Sequence, residues 1–379
     1  MSFSRIRLEN WRNFAQVDTP LASRAFIVGP NASGKSNLLD VFRFLRDIAS
    51  PGGGFQDAIR RRGGVSRIRN LAARRYPDIV VDAQMEIESE LWRYRVSFSQ
   101  DNQRNPIVKE ELVWRGETLL LERPTRDDRA DEARLRQTHL EQTIANVKFR
   151  EIVRFLATVR YYHIVPQLVR DQERYVGRQA DPFGGDFLEQ LATVNKRTLD
   201  ARLRRIQKAM QVSVPQLSEL KLEKDERGYP HLLGRYEHWR PKGAWQTEAD
   251  FSDGSLHLVG LLWALLDGMG PVLLEEPELS LHPEIIRHIP QLMRRVQRGR
   301  STSRRQILVS THSPTLLQDK GIAPDEILLV KPTASGSEVE VGVANHEILR
   351  LMQTGLSAAQ AVMPYTGPKG AEQLVLFDA

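Results

Sequence analysis

The sequence predicts an α/β protein: a mixed β-sheet with flanking helices, an antiparallel β-meander and a mostly α-helical insertion. Three observations carry this. A short apolar run, Ala25, Phe26, Ile27 and Val28, leads through a glycine loop into a segment with helical spacing of apolar residues. Two more short apolar runs, at 272–274 and 307–309, have the composition of strands buried on both faces of a parallel sheet. Between these blocks, Ile79, Val81, Ala83, Met85 and Ile87 alternate with more polar neighbours, as do Trp92, Tyr94, Val96 and Phe98, which is the period-two pattern of successive antiparallel strands.

Composition narrows the classes. A chain of 379 residues, 41% hydrophobic, can bury a sizeable core as one large domain with insertions or two smaller ones. It has no cysteine, which excludes disulfides and thiolate metal sites and suits the reducing cytosol, so the expected location is cytoplasmic. No run of eighteen apolar residues occurs, so no membrane span is expected, and the amino terminus lacks the apolar core of a signal peptide. The formal charge of +6 is unevenly spread. Residues 60–75 hold seven arginines and no acid, and so do residues 285–305; taking those fourteen from +6 leaves −8 for the rest. Such local basic patches neutralise phosphates, and a solvated arginine-rich surface is the alternative.

In chain order, residues 1–28 read as strands around a turn and 37–48 as the helix after the loop. Ser50, Pro51 and three glycines make a break, followed by the first basic stretch and the meander, with a turn at Asp101 and Asn102. Residues 1–125 are therefore expected to form one lobe. Residues 126–249 are expected to be the mostly helical insertion: Leu140, Ile144 and Val147 keep helical spacing, as do Ile152, Phe155, Leu156 and Val159, and again Leu199, Leu203, Ile206 and Met210. Its last part, 211–249, is mixed, with a turn at Gly228, Tyr229 and Pro230. Residues 250–379 form the second lobe, with a buried helix over 256–266 and an alternating edge strand at 338–343.

The chemistry is concentrated in few places. Gly29, Pro30, Asn31, Ala32, Ser33, Gly34, Lys35 and Ser36 match G-x-x-x-x-G-K-[ST] at every fixed position, with Asn37 opening the helix. Glycines let successive N–H groups converge on one anion, and the helix start adds positive potential. Lys35 is expected at the β- and γ-phosphates of ATP and Ser36 on Mg²⁺. The run at 272–274 ends in Glu275 and Glu276; the first suits Mg²⁺ and the second a base for the attacking water. His312, past the run at 307–309, is a γ-phosphate donor or a structural histidine. Ser252, Asp253, Gly254 and Ser255 open the buried helix, as a second anion site or a plain N-cap. Arg60, Arg61, Arg62, Arg67 and Arg69 are candidate nucleic-acid contacts.

Together these elements resemble the ABC-type ATPases of the RecF/SMC/OLD group. The phosphate loop, the Leu-Leu-Glu-Glu-Pro-Glu acid strand, Leu281-His282-Pro283 after it and Ser-Thr-His-Ser-Pro at 310–314 stand in that group's order, and Asn10-Trp11-Arg12-Asn13-Phe14 looks like its opening strand turn. The resemblance covers about a third of the chain, residues 1–48 and 250–330. It implies a P-loop ABC-type ATPase head that dimerises around two nucleotides, with residues 252–255 as the signature loop acting on the partner's γ-phosphate. It also implies a glutamine that senses Mg²⁺: Gln167, or alternatively Gln56. Glu275 stands where the group has aspartate, and Ser-Asp-Gly-Ser replaces Leu-Ser-Gly-Gly-Gln. No long coiled coil and no Asp-x-Asp nuclease element are found.

The expected function is a compact Mg²⁺-dependent ATPase whose ATP-dependent homodimer engages DNA or an effector partner in repair or anti-phage defence. The rival is a regulator of a toxin or nuclease that does not bind DNA. A transporter ATPase fits neither the signature loop nor the basic patches. Near the end, Gln373, Leu374, Leu376 and Phe377 resemble the pentapeptide with which bacterial proteins bind the sliding clamp, or form a terminal strand packed on the chain itself.

Overall fold

The computed structural model describes residues 1–73, 77–171, 181, 183–237, 244–298 and 305–367. It divides into two compact units: Met1–Arg160 with Met269–Leu273 and Gln297–Ala379, and Tyr161–Gly268 with Leu274–Val296.

The chain opens on β1 (Ser2–Trp11) and β2 (Phe14–Pro20), antiparallel around a tight turn in which Asn10 and Arg12 adopt positive φ of 57° and 51°. β1 buries Phe3, then Ile6 and Leu8. The switch from odd to even positions comes from a register shift between Phe3 and Arg5 in its pairing with β4 (Ile79–Ile87). β3 (Arg24–Val28) precedes β4 in the chain, is buried at every position and leads into α1 (Lys35–Ala49). Two short helices follow, α2 (Phe55–Arg60), which ends where the first basic stretch begins, and α3 (Val65–Ile68), within it. β5 (Glu90–Gln100), β6 (Pro106–Arg115) and β7 (Thr118–Arg123) complete the meander, so the first sheet runs β2-β1-β4-β5-β6-β7, antiparallel throughout. The alternation read over 79–98 corresponds to β4 and β5.

Next come α4 (Arg126–Ala130), α5 (Arg150–Ala157), the short β8 (Arg160–Tyr162), α6 (Pro166–Arg170), α7 (Phe187–Ala192) and α8 (Lys196–Met210). The helical spacing of Leu140, Ile144 and Val147 does not produce an α-helix. That segment is turns and a 3-10 helix at Ala145–Phe149, and Ile144 and Val147 are exposed. The buried Asn146 side chain explains it: its amide donates to the Leu140 carbonyl at 3.0 Å, closing a local turn that competes with helix. Residues 211–249 fold as β9 (Leu217–Lys224), β10 (Pro230–Tyr236) and β11 (Ala244–Gln246), a sheet in the order β11-β10-β9, with the expected turn at Gly228. α9 (Asp253–Leu266) is apolar on nearly all faces and buried along its length.

The second large sheet closes with β12 (Val272–Glu275), then α10 (Pro283–Arg298), β13 (Ile307–Ser310), β14 (Ile327–Thr333) and β15 (Gly336–Val341), followed by α11 (His346–Gln353) and α12 (Ala358–Thr366). Its order is β15-β14-β3-β13-β12-β8, and β3 lies parallel between β13 and β14. β8 and β12 begin in the first unit and run on into the second. β15 is the edge strand expected from its alternation, antiparallel to β14. Core packing in the first unit centres on Phe3, whose ring lies 4.8 Å from Phe42 and 5.0 Å from Phe155. No described helix is long and apolar enough to cross a membrane.

Candidate functional site: a phosphate loop and an acid-ended strand

The phosphate loop hangs from the end of β3 in the first unit. Two of its glycines are sterically required. A Cβ on Gly29 would sit 2.5 Å from the Val330 carbonyl oxygen, and one on Gly34, which has φ +109°, would sit 2.1 Å from the Asn13 amide nitrogen. Ala32 also adopts positive φ, 60°. The Lys35 ammonium is folded back over its own loop and donates to the Gly29 and Pro30 carbonyls at 3.0 Å each. Ser33 Oγ is buried without a hydrogen-bond partner among the described residues. A cation parked on carbonyls and an unsatisfied buried hydroxyl, at the start of a fifteen-residue helix, fit an anion at this place.

The loop is held from behind by a residue that sequence motifs did not single out. Asn13, from the β1–β2 turn, donates its amide to Ser33 O at 2.5 Å and to Ser337 Oγ at 2.8 Å, and accepts from the Asn37 amide at 2.8 Å. Ser337 Oγ donates to the same Ser33 carbonyl at 2.7 Å, and the Trp11 indole donates to Asn37 O at 2.9 Å. Asn13 lies twenty residues before Ser33 and Ser337 three hundred after it, so only the fold joins them. The available signal was the turn pattern at 10–14.

His312 follows β13. Parallel pairing sets Ser310 opposite Ile27, and Thr311 N donates to Ile27 O at 3.1 Å. The phosphate loop and the exposed His312 therefore leave adjacent strands at the same end of the sheet.

The acids and the signature segment belong to the second unit. Glu275 ends β12 and accepts a hydrogen bond from the Tyr161 hydroxyl. Glu276 adopts a positive φ of 45°, a conformation that costs energy for a residue with a side chain and that gathers at functional sites. Ser252 is the N-cap of α9, its Oγ accepting from Ser255 N at 3.2 Å, so the capping role is real. Gly254 approaches Ser280, whose carbonyl oxygen would lie 2.6 Å from an added Cβ. Asp253 is gripped by α6: the Gln167 amide donates to Oδ2 and the Arg170 guanidinium to Oδ1, both at 2.7 Å, and Arg170 also donates to Phe251 O at 2.6 Å. His257, one turn on, is buried against the Ile164 carbonyl; burial holds its imidazole below the usual range, against hydrogen bonds to the backbone of Ile164 and Pro277, which favour the protonated ring. Gln56 is committed elsewhere, donating to Pro106 O and Arg136 O.

The first basic stretch is not uniform. The Arg60 side chain is 81% exposed and Arg61 49%, both paired with Asp57, while Arg67 is exposed and Arg69 half-buried. Arg62 requires a correction. Only 4% of its side chain is exposed; it bonds Asp40 at 2.9 and 3.0 Å, Asp47 at 3.0 Å and Ala58 O at 2.8 Å, and cannot reach a nucleic-acid phosphate. Burial works against the charge on Asp40, and the Arg62, Arg43 and Arg12 guanidiniums outweigh it, holding the carboxyl below its ordinary range. In the second stretch Arg305 is likewise buried, donating to Gly270 O at 2.8 Å. Gln373, Leu374, Leu376 and Phe377 lie outside the described residues. Among the described residues no group of three His, Asp or Glu side chains is placed to hold a metal, and a Mg²⁺ carried on substrate phosphates with one or two protein oxygens does not need one.

Comparison with known proteins agrees with this architecture. No curated protein matches the chain. Among solved structures, an SMC head bound to the C-terminal winged-helix domain of ScpA is similar over 90% of this chain and 98% of its own, with a TM-score of 0.55 at 15% identity. The SMC head with an extended coiled coil bound to the C-terminal domain of ScpA, derived from Pyrococcus furiosus, is similar over 89% and 96%, with a TM-score of 0.51 at 13% identity. The family described as "AAA domain, putative AbiEii toxin, Type IV TA system" matches residues 24–318, which include the phosphate loop, both acids and His312. The chain belongs to that AAA-domain family, and its fold is that of the P-loop ABC-type ATPase heads of the RecF/SMC group.

Proposed function

We propose that the chain is a Mg²⁺-dependent ATP hydrolase whose ATP-driven self-association is coupled to duplex DNA. The observation that carries the proposal is the phosphate loop with Lys35 resting on the carbonyls of Gly29 and Pro30, a cation held ready for phosphate. In this scheme the N–H groups of residues 29–37 hold the phosphates. Ser36 and Glu275, with Gln167 as a further candidate, hold Mg²⁺, which neutralises phosphate charge. Glu276 takes the proton of the attacking water, and His312 donates to the γ-phosphate. Ser252, Asp253, Gly254 and Ser255 serve a nucleotide held by a second copy, because the signature loop supplies donors on the side that one head leaves open. The cytoplasm, with its ATP and Mg²⁺, is the proposed compartment, and a role in repair or anti-phage defence follows from coupling to DNA.

The test is a pair of variants. Glu276→Gln keeps the shape but cannot accept a proton, so nucleotide binding persists and turnover falls by about a hundred- to ten-thousandfold, the usual contribution of a general base. Lys35→Ala loses nucleotide affinity instead. Turnover at the parent rate in Glu276→Gln overturns the assignment of the base. With ATP, Glu276→Gln also runs as a larger species in light scattering; a monomer with and without ATP removes the dimer.

One observation favours a second reading. The family description names a toxin of a Type IV toxin–antitoxin system, which supports an ATPase that regulates a protein effector and does not bind DNA. Binding to a labelled duplex with and without ATP separates the two. The tail residues Gln373, Leu374, Leu376 and Phe377 are proposed as a sliding-clamp ligand, tested by titrating a peptide of residues 367–379 against the clamp.

A further inference from the structure

We infer that the exposed face of α8 is a duplex-DNA contact surface, separate from the arginines at 60–69. This rests on the DNA-coupled function proposed above. α8 holds six basic residues and one acid, Asp200, within fifteen positions. Its buried side is Leu199, Leu203, Ile206 and Met210. At 100° per residue, Arg197, Arg204, Arg205 and Lys208 fall on the opposite side, and all four are exposed. Arg202, the sixth cation apart from Lys196 and these four, is spent on Asp267 at 2.8 Å and on the face of Trp263.

The pairing state sets this helix apart from most of the basic stretch that sequence picks out, where Arg62 is spent on Asp40 and Asp47 and, of the five candidates, Arg67 and Arg69 alone have no ion pair among the described residues. Arg60 and Arg61 share Asp57. Arg197, Arg204, Arg205 and Lys208 have no ion-pair partner among the described residues. Unpaired exposed cations are free to neutralise phosphates, and the counterions that the DNA then releases drive salt-dependent binding.

Shape points the same way. Arg204, Arg205 and Lys208 line one wall of a groove of about 770 Å³ inside the second unit, and β9 supplies the other with Ser218, Glu219, Leu220 and Lys221. Glu219 is engaged by Arg235 at 3.4 Å, which leaves Asp200 as the one groove carboxylate without an ion pair among the described residues. From Arg197 to Lys208 the stripe spans about 16 Å at 1.5 Å per residue, or about five phosphates of one DNA strand at 3.4 Å each. Three of its four cations are guanidiniums, whose forked donors suit phosphate oxygens. A protein partner would need apolar or aromatic anchors at its centre. The groove offers only Ala201 and the nearly covered Leu220.

The experiment measures binding of the full chain to a labelled mixed-sequence duplex across a range of salt. Each lost phosphate contact lowers the slope of log K against log salt by about 0.9. The combined variant Arg197→Ala, Arg204→Ala, Arg205→Ala and Lys208→Ala therefore flattens the slope by about 3 to 4, with Mg²⁺-ATP hydrolysis in the absence of DNA unchanged. Replacing the three arginines with lysine restores the slope, which a loss caused by misfolding would not allow. A parent slope retained in the alanine variant overturns this inference and leaves the DNA-coupled function standing. A parent chain that does not bind the duplex at any salt overturns both. Loss of binding to polyglutamate with an unchanged DNA slope assigns the face to an acidic protein and also overturns it.

Discussion

Arg62→Ala separates a structural arginine from a nucleic-acid contact, and its size follows from the network around it. Arg62 makes five hydrogen bonds, three to carboxylate oxygens of Asp40 and Asp47 and two to the backbone carbonyls of Ala58 and Asp40, and its guanidinium lies 5.3 Å from the Phe44 ring centroid. Removing one partner from a buried ion pair costs about 3–5 kcal/mol, since the other charge is left desolvated. Here neither acid is stranded. Arg12 still bonds Asp40 at 2.8 Å, and Arg46 still bonds Asp47 at 2.7 Å. The lower end, about 3 kcal/mol, is therefore the expected loss. At about 2.1 cal/mol/K per residue the whole chain has an unfolding entropy near 0.8 kcal/mol/K, so the melting midpoint falls by about 4 °C if the chain melts in one step. Differential scanning calorimetry gives the midpoint, and the DNA salt titration is run alongside. The duplex slope stays at its parent value, because a buried side chain neutralises no phosphate and so releases no counterion from the DNA. A midpoint within about 1 °C of the parent, or a flattened DNA slope at an unchanged midpoint, refutes the network argument.

Asn13→Ala removes one of the two donors to the Ser33 carbonyl, leaving Ser337 Oγ, and the acceptor for Asn37; nucleotide affinity drops about tenfold, for roughly 1 to 2 kcal/mol of lost hydrogen bonding, and an unchanged Kd by calorimetric titration counts against the bracing role. Arg170→Ala frees the Phe251 carbonyl and leaves Asp253 held to α6 by Gln167 alone; ATP binding by the single chain is unchanged while ATP-dependent association in a Glu276→Gln background weakens, and equal association by light scattering refutes the link. His139 is held down to about 4 by burial and then by the Arg123 charge, so it is neutral in the fold while the unfolded chain takes up a proton. Protonation thus favours the unfolded state, and the contribution of His139 to stability is lost as pH falls from about 6.5 to about 4. An NMR titration of its ring midpoint decides, and a midpoint near the ordinary histidine value contradicts the burial.

Some of this protein was determined by its sequence alone. The phosphate loop could be read because its chemistry is local: eight consecutive residues set the backbone path, and the strand before it and helix after it carry their own periodicities. β12, β13 and α9 were legible for a related reason. A short run apolar on every face has few places to go except between other elements, and the acids and histidine that leave such runs stand where parallel strands end.

Tertiary structure decided the rest, wherever a residue's role depends on a partner far away in the chain. Arg60, Arg61 and Arg62 are indistinguishable as a string. Which one is buried follows from Asp40 and Asp47 on α1, about twenty residues earlier, and from the way α2 lies on that helix. Asn13 becomes part of the phosphate site only when β1, β15 and the loop converge on the Ser33 carbonyl. Spacing predicted a helix through Leu140 and Ile144, but the Asn146 amide offered the Leu140 carbonyl another partner. The basic character of α8 was present in its letters. That Arg197, Arg204, Arg205 and Lys208 have no ion pair among the described residues was not, because charge pairing is a property of three-dimensional neighbours and the sequence contains acids enough to have neutralised them.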